Sequence, residues 1–139
     1  MPYEIFSQLV LAALLGAALG LERELARKTA GMRTYALVSM GAALFSIIST
    51  TAFQQWIGIS SFDPSRIASQ IVVGIGFIGA GLIIFHEERV KGLTTAAGLW
   101  VAAAIGVSVG YKLYAVAIFA TVLTLLIFVV TTYPPFFPG

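Results

Sequence analysis

A chain of 139 residues that is 59% hydrophobic and only 10% charged, with a mean hydropathy of +0.97, is too apolar for a water-soluble domain. Such domains carry about 25% charged residues and at this size bury only about two-thirds of their surface, so the excess apolar surface requires lipid. The net charge of +2 comes from eight Lys and Arg that form no basic face, which argues against nucleic acid as a partner, and the lack of cysteine excludes disulfides and thiolate metal sites.

A hydrocarbon core about 30 Å thick takes roughly 20 apolar residues to cross as a helix. Five stretches meet or approach that length: 5–21, 34–53, 67–85, 94–109 and 113–132. The expected fold is therefore all-α, a polytopic membrane protein with five transmembrane helices in one domain spanning residues 1–139. A membrane barrel alternates apolar and polar residues, and these runs are apolar on every side, so strands are not expected. The first stretch lacks the basic start and small-residue cleavage site of a signal peptide and reads as a retained span.

The loop after it carries most of the charge, with Glu22, Arg23, Glu24, Arg27, Lys28 and Arg33. Glu24 with Arg27 or Lys28 makes ordinary helical pairs. Glu22 and Arg23 differ, because they stand where the span leaves the membrane and can fold back against the bundle. Arg33 precedes the second span in the same way, and with Arg23 it suggests a cytoplasmic anion or partner site.

Asp63-Pro64-Ser65-Arg66 opens the third span. Asp63 suits a helix cap, and Pro64 suits the first helical position, where a missing N–H costs nothing. Arg66 and Gln70 lie one turn apart with Gly74 beyond them, a narrow polar strip entering the bundle. An ionisable residue at membrane depth points to function, although at a helix end it can simply snorkel to the surface. Gly74, Gly76 and Gly79 spell the dinucleotide fingerprint, but that motif needs a strand before it and an acidic residue after it. Here it lies inside an apolar span. Gly74 and Gly81 share a helix face with Gln70, and Gly76 and Gly79 share the opposite one with Ser69, so both sides are smooth. The third span is expected at the centre of the bundle, packed through these four glycines, unless it is broken to expose backbone to a cavity.

His86, Glu87 and Glu88 follow in what reads as a solvated loop, without the second histidine a metal site would require. Thr94 or Thr95 then caps the fourth span, and Thr95 is placed to bond a neighbouring helix. This span is short and rich in Ala and Gly, which puts it inside the bundle, where small residues let backbones approach. The fifth is bulky throughout and suits the lipid face. The tail Tyr133-Pro134-Pro135-Phe136-Phe137-Pro138 cannot continue a helix and is expected at the interface.

Orientation follows from Lys and Arg in the loops. Arg23, Arg27, Lys28, Arg33, Arg89 and Lys91 fall on one side, against Arg66 and Lys112 on the other. Six against two puts the first and third loops in the cytoplasm, the N-terminus outside and the C-terminus inside.

Several blocks, in order, carry a family resemblance. They are Gly20-Leu21-Glu22-Arg23, Ala30-Gly31-Met32-Arg33-Thr34, Gly41-Ala42-Ala43-Leu44-Phe45, Asp63-Pro64-Ser65-Arg66-Ile67-Ala68-Ser69-Gln70, Gly74-Ile75-Gly76-Phe77-Ile78-Gly79-Ala80-Gly81 and Gly92-Leu93-Thr94-Thr95-Ala96-Ala97. From the first span to about Thr124 the chain closely resembles the MgtC/SapB family of bacterial inner-membrane proteins. That resemblance implies a five-span domain with its N-terminus outside, adaptation to low magnesium, and survival inside macrophages. It also implies action on other membrane proteins, the proton-translocating ATP synthase among them. Met32 stands where leucine is usual. Many members carry a soluble cytoplasmic domain after the fifth span, whereas this sequence ends at Gly139. It is either a short member or one lacking that domain.

Three function classes compete. A non-enzymatic membrane regulator needs small-residue helix faces, few buried charges and no catalytic constellation, and it works in a lipid bilayer with membrane-protein partners, including a second copy. A transporter or channel for Mg²⁺ or an anion such as phosphate is the alternative. Mg²⁺ demands oxygen ligands, yet Glu4, Glu22, Glu24, Asp63, Glu87 and Glu88 all lie at span ends or in loops, and Arg66 or the Arg23/Arg33 pair suits an anion better. An intramembrane enzyme is disfavoured, because no span holds a Ser–His pair or paired carboxylates. No cofactor is expected.

Overall fold

In a computed structural model, described here for residues 1–59 and 61–133, the chain forms five long helices. They are α1 (Pro2–Leu25), α2 (Met32–Thr51), α3 (Ser65–Leu82), α4 (Leu93–Gly110) and α5 (Tyr114–Thr132), with a 3-10 turn at Gln54–Trp56. Each is long and apolar enough to cross a membrane. At 1.5 Å per residue, the 18 residues of α4 span about 27 Å, which matches the hydrocarbon thickness. The proline-rich tail after Tyr133 lies outside the described residues.

The helices alternate up and down. One end of the bundle holds Met1 and the α4–α5 turn; the other holds the α1–α2 loop and the end of α5. α4 is the central helix and packs against the other four. Its small residues Gly98, Ala102, Gly106 and Gly110 recur every four positions and are all buried, so they form one smooth face along the helix. α2 lies against that face and against a second small-residue stripe on α1, Ala12, Gly16 and Gly20. Ser39 of α2 sits where the two crossings meet. A Cβ on Gly16 would come 2.7 Å from the Ser39 Cβ, and one on Gly106 would overlap the Ser39 carbonyl oxygen. The core is completed by Leu19, Tyr35, Leu99, Ile105, Val109 and Phe128. α5 buries only Ala117, Thr121, Thr124 and Phe128 and turns its bulk to lipid, as its composition led one to expect.

Three expectations are corrected: the central place of the third span, its length, and the absence of strands. The third span is not central: α3 sits on the flank of the bundle and buries only Ile75 and Gly79. The physical reason is spacing. Its glycines at 74, 76, 79 and 81 scatter around the helix, so no continuous smooth face results, whereas the four-residue ladder of α4 makes one. Of these four glycines, only Gly79 meets a neighbour, Ala96 at 3.6 Å from a Cβ placed on it; Gly74, Gly76 and Gly81 face open space. The third span also ends three residues early. Residues expected to be its last turn and the following loop form a small antiparallel hairpin, β1 (Ile84–His86) and β2 (Arg89–Lys91). Gly92 follows in the left-handed region at φ +87, where a Cβ would overlap the Leu82 carbonyl oxygen. Only glycine can bring the chain back over the end of α3 there.

Candidate functional site

The inward stripe of α1, Gln8, Ala12, Gly16, Leu19 and Gly20, continues to Arg23, which follows at helical spacing. The same geometry that buries small residues therefore carries a guanidinium into the bundle, where Arg23 is 1% exposed. Adjacent helix residues do not normally face each other, but Glu22 leans into the same junction and its Oε2 accepts from Arg23 Nε at 2.5 Å. Arg23 Nη2 donates to Thr132 Oγ1 at 2.8 Å, and the guanidinium carbon lies 3.9 Å from the centre of the Phe128 ring. An isolated buried ion costs several kcal/mol; the carboxylate, the hydroxyl and the ring face together compensate this one. Glu22 is itself buried, and its Oε1 meets no donor among the described residues.

The junction joins four helices. Beside the pair, the Tyr35 hydroxyl donates to the Thr95 carbonyl oxygen at 3.0 Å, linking α2 to α4. Gly98 makes room for both aromatic groups, because a Cβ there would collide with the Tyr35 hydroxyl and the Phe128 ring. α1 thus supplies the charges, α2 and α5 the aromatic walls, and α4 the floor.

The other end of the bundle is tied differently. Gln8 is buried and its Nε2 donates to the carbonyl oxygens of Val109 at 2.9 Å and Gly110 at 3.3 Å. The Val109 carbonyl also accepts from the Lys112 amide at 3.0 Å, so Gln8 adds a second bond there and reaches the carbonyl of Gly110, the last residue of α4. Glu4 and Lys112 pair at 2.7 Å on the surface, and this partner holds the Lys112 ammonium above its ordinary pKa. The Tyr111 hydroxyl lies 3.2 Å from Ser49 Oγ and donates to the Pro64 carbonyl at 3.2 Å, tethering the approach to α3. The cap of α3 is Pro64, not Asp63 as expected, and the helix starts at Ser65; Asp63, one residue before the cap, accepts through Oδ1 from the Ser65 hydroxyl at 2.7 Å and the Ser65 amide at 2.9 Å. These bonds, the hydroxyl first, hold the Asp63 carboxyl below its ordinary value.

Of the residues singled out in the sequence, Glu22 and Arg23 do fold back into the bundle. Arg33 is exposed while Arg23 is buried, so the two do not form a joint site; the first turn of α2 points Arg33 outward. Glu24 makes no pair with Arg27 or Lys28 among the described residues. Helix α1 ends at Leu25, and Glu24 instead accepts from the Met32 amide at 3.2 Å, covering an otherwise free N–H at the start of α2. Thr94 and Thr95 do not cap α4, whose cap is Gly92 without a side-chain bond; Thr95 does join a neighbouring helix, but through its carbonyl. Arg66 and Gln70 are exposed and the strip does not enter the bundle. Gln70 and Gly74 instead line a lipid-side groove of about 730 Å³ between α3 and Leu37, Gly41 and Phe45 of α2. Reading the sequence missed Tyr35, Gly98, Phe128 and Thr132. The first two carry a signal, since Gly98 opens the four-residue ladder of α4 and Tyr35 leads the inward stripe of α2; Phe128 and Thr132 carry none.

A bundle of five membrane-spanning helices, packed on small residues with its charged groups gathered at the helix ends and connections, defines a polytopic membrane protein. The chain matches the MgtC family over residues 9–133, and it belongs to that family. It is 46% identical over 129 residues to the Escherichia coli K12 protein named "Putative magnesium transporter YhiD", covering 91% of this chain and 60% of that one. It is 47% identical over 117 residues to Protein MgtC of Salmonella typhimurium LT2, covering 84% and 48%. An uncharacterized Haemophilus influenzae protein is 41% identical over 125 residues, covering 87% and 52%. The chain therefore spans about half to three-fifths of the length of these relatives. No solved structure matches it.

Proposed function

We propose that this protein is a non-enzymatic regulator in the bacterial inner membrane, linked to adaptation to low magnesium and to survival inside macrophages, and that it acts by docking on other membrane proteins through α3. The observation that carries this reading is the bareness of α3. Four of the helices enclose a core, whereas the fifth, α3, leaves Gly74, Gly76 and Gly81 without neighbours beside an apolar groove. Each of these glycines, on either side of the helix, lets another helix backbone approach closely at that point, as association in lipid uses. Its partners are a membrane protein such as the ATP synthase, or a second copy of this chain. The N-terminus faces outward and the C-terminus the cytoplasm, in keeping with the six-to-two division of basic residues.

Transport of Mg²⁺ or of an anion such as phosphate is the second reading, favoured by the name of the Escherichia coli relative. Against it stand two placements. All six carboxylates lie at helix ends or in connections, and the centre of the bundle is filled by the close crossings at Gly16, Gly106 and Gly110. Among the described residues no three His, Asp or Glu side chains converge.

Two measurements separate the readings. Purified protein in liposomes is expected to move neither Mg²⁺ nor phosphate above an empty-vesicle baseline; a saturable flux abolished by Arg66→Ala would overturn the regulator. Co-purification of the ATP synthase membrane sector, or self-association, is expected to be lost with Gly76→Leu while the thermal stability of the protein is unchanged. Retention of every partner by the stable variant would remove α3 as the docking helix.

A further inference from the structure

The hairpin between α3 and α4 is not explained by helix docking. All six of its strand residues are exposed, so among the described residues it takes no part in the core. Its register pairs Ile84 with Lys91, Phe85 with Val90 and His86 with Arg89. Successive strand residues project to opposite faces, and directly paired residues share a face. One face therefore carries Phe85 and Val90, and the other carries Ile84, His86, Arg89 and Lys91. Phe85 is 72% exposed and Val90 50%. The acidic residues Glu87 and Glu88 are set apart at the turn, with φ of 49° and 62°.

Position decides what such an element meets. α3 ends at Leu82 and α4 begins at Leu93, both helices of membrane-spanning length, so the ten residues between them lie where hydrocarbon gives way to head groups. Exposed Ile83 and Leu93 flank the hairpin and extend its apolar side toward the bilayer. Exposed Arg27 and Lys28 of the α1–α2 connection and Arg33 of the first turn of α2 stand at the same end of the bundle and make its surroundings basic.

We propose that the β1–β2 hairpin is an interfacial membrane anchor. Phe85 and Val90 insert at the boundary between head groups and acyl chains, Arg89 and Lys91 engage the phosphate groups of phospholipids from the opposite face, and the Glu87–Glu88 turn stays in water. One face carries only the aromatic–aliphatic pair, and the other carries both cations beside Ile84 and His86; a phosphate-bearing lipid surface, apolar below and anionic above, fits that arrangement. A protein cover would call for an apolar contact without the flanking cations. The hairpin then fixes the depth of the α3–α4 connection in the membrane.

Depth-resolved quenching tests this in the whole chain reconstituted in bilayers. Trp56 and Trp100 are replaced in a Trp56→Phe, Trp100→Phe background, and either Phe85→Trp or Glu87→Trp is added as the reporter. Both reporter positions are exposed, so neither perturbs the core. Brominated phospholipids should place the residue-85 reporter about 5–10 Å into the head-group and acyl boundary, as for other interfacial elements, with the residue-87 reporter in water. Adding Arg89→Gln and Lys91→Gln should shift the residue-85 reporter outward, seen as weaker bromine quenching and a red-shifted emission. Three results overturn the proposal. A residue-85 reporter as water-accessible as that at 87 rules out insertion. One shielded from both water and lipid bromine means that protein, such as a second copy, covers the face. A depth unchanged by loss of both cations removes the phosphate contact.

Discussion

Replacing Arg23 by methionine tests the junction most directly. Arg23 is 1% exposed and Glu22 8%, and they are joined by a charge-assisted hydrogen bond. Arg23→Met keeps a long apolar stem but leaves the Glu22 carboxylate buried without its cation. Removing one partner of a buried pair costs about 3–5 kcal/mol. The lost bond to Thr132 and the lost ring contact with Phe128 fall within that figure, because effects at one shared group do not add. Converting both residues, Glu22→Gln with Arg23→Met, removes the stranded charge. Neutral replacement of a whole buried pair is often near neutral, so the double variant should recover roughly 2–3 kcal/mol relative to the sum of the two single changes. Reversible unfolding in mixed micelles, driven by the mole fraction of a denaturing detergent and followed by circular dichroism, reads these differences. A cost below about 1 kcal/mol for Arg23→Met, the range of solvent-exposed pairs, or strict additivity in the double variant, would refute the buried junction.

Gly106→Ala places a Cβ against the Ser39 carbonyl oxygen and should destabilise by about 1–3 kcal/mol through overpacking, measured by the same titration; Gly76→Ala, in open space, should cost nothing from packing. Tyr111→Phe removes the bond to Pro64 and should weaken the tether by about 1 kcal/mol. Faster hydrogen exchange in the first turn of α3, with α4 unaffected, is the expected signature. The lowered pKa of Asp63 makes the start of α3 acid-sensitive: its contribution is present above the ordinary value of 3.8 and is lost as pH falls through the lower folded value. Protection of Arg66 and Ile67 relative to the intrinsic exchange rate at each pH should therefore fall below about pH 3.8 in the native chain but stay constant in Asp63→Asn. The raised pKa of Lys112 acts in the opposite direction. Its contribution is present below the ordinary value of 10.5 and is lost only as pH rises through the higher folded value, so the tie to Glu4 should persist at pH 9.

Composition and apolar run length by themselves determined that this chain is a five-helix membrane bundle, because a 139-residue chain this apolar has no aqueous fold and hydrocarbon imposes a fixed helix length. They also put α4 inside and α5 outside: a short span rich in Ala and Gly admits a neighbouring backbone, and one with Leu, Val and Phe on all sides does not. Block similarity carried the family. What the tertiary structure alone decided was which polar residues are brought together. Glycine content in α3 suggested a centre, but scattered glycines make no face, and the helix stayed on the flank with Arg66 and Gln70 exposed. Arg23 and Arg33 are both basic residues at span ends. Only the phase of α1 against α2 turned one into the core and the other out of it. Phe128 and Thr132 lie more than a hundred residues from Arg23, in a helix whose sequence reads as uniformly greasy. Their role depends on where the end of α5 crosses the end of α1, and helix packing sets that crossing.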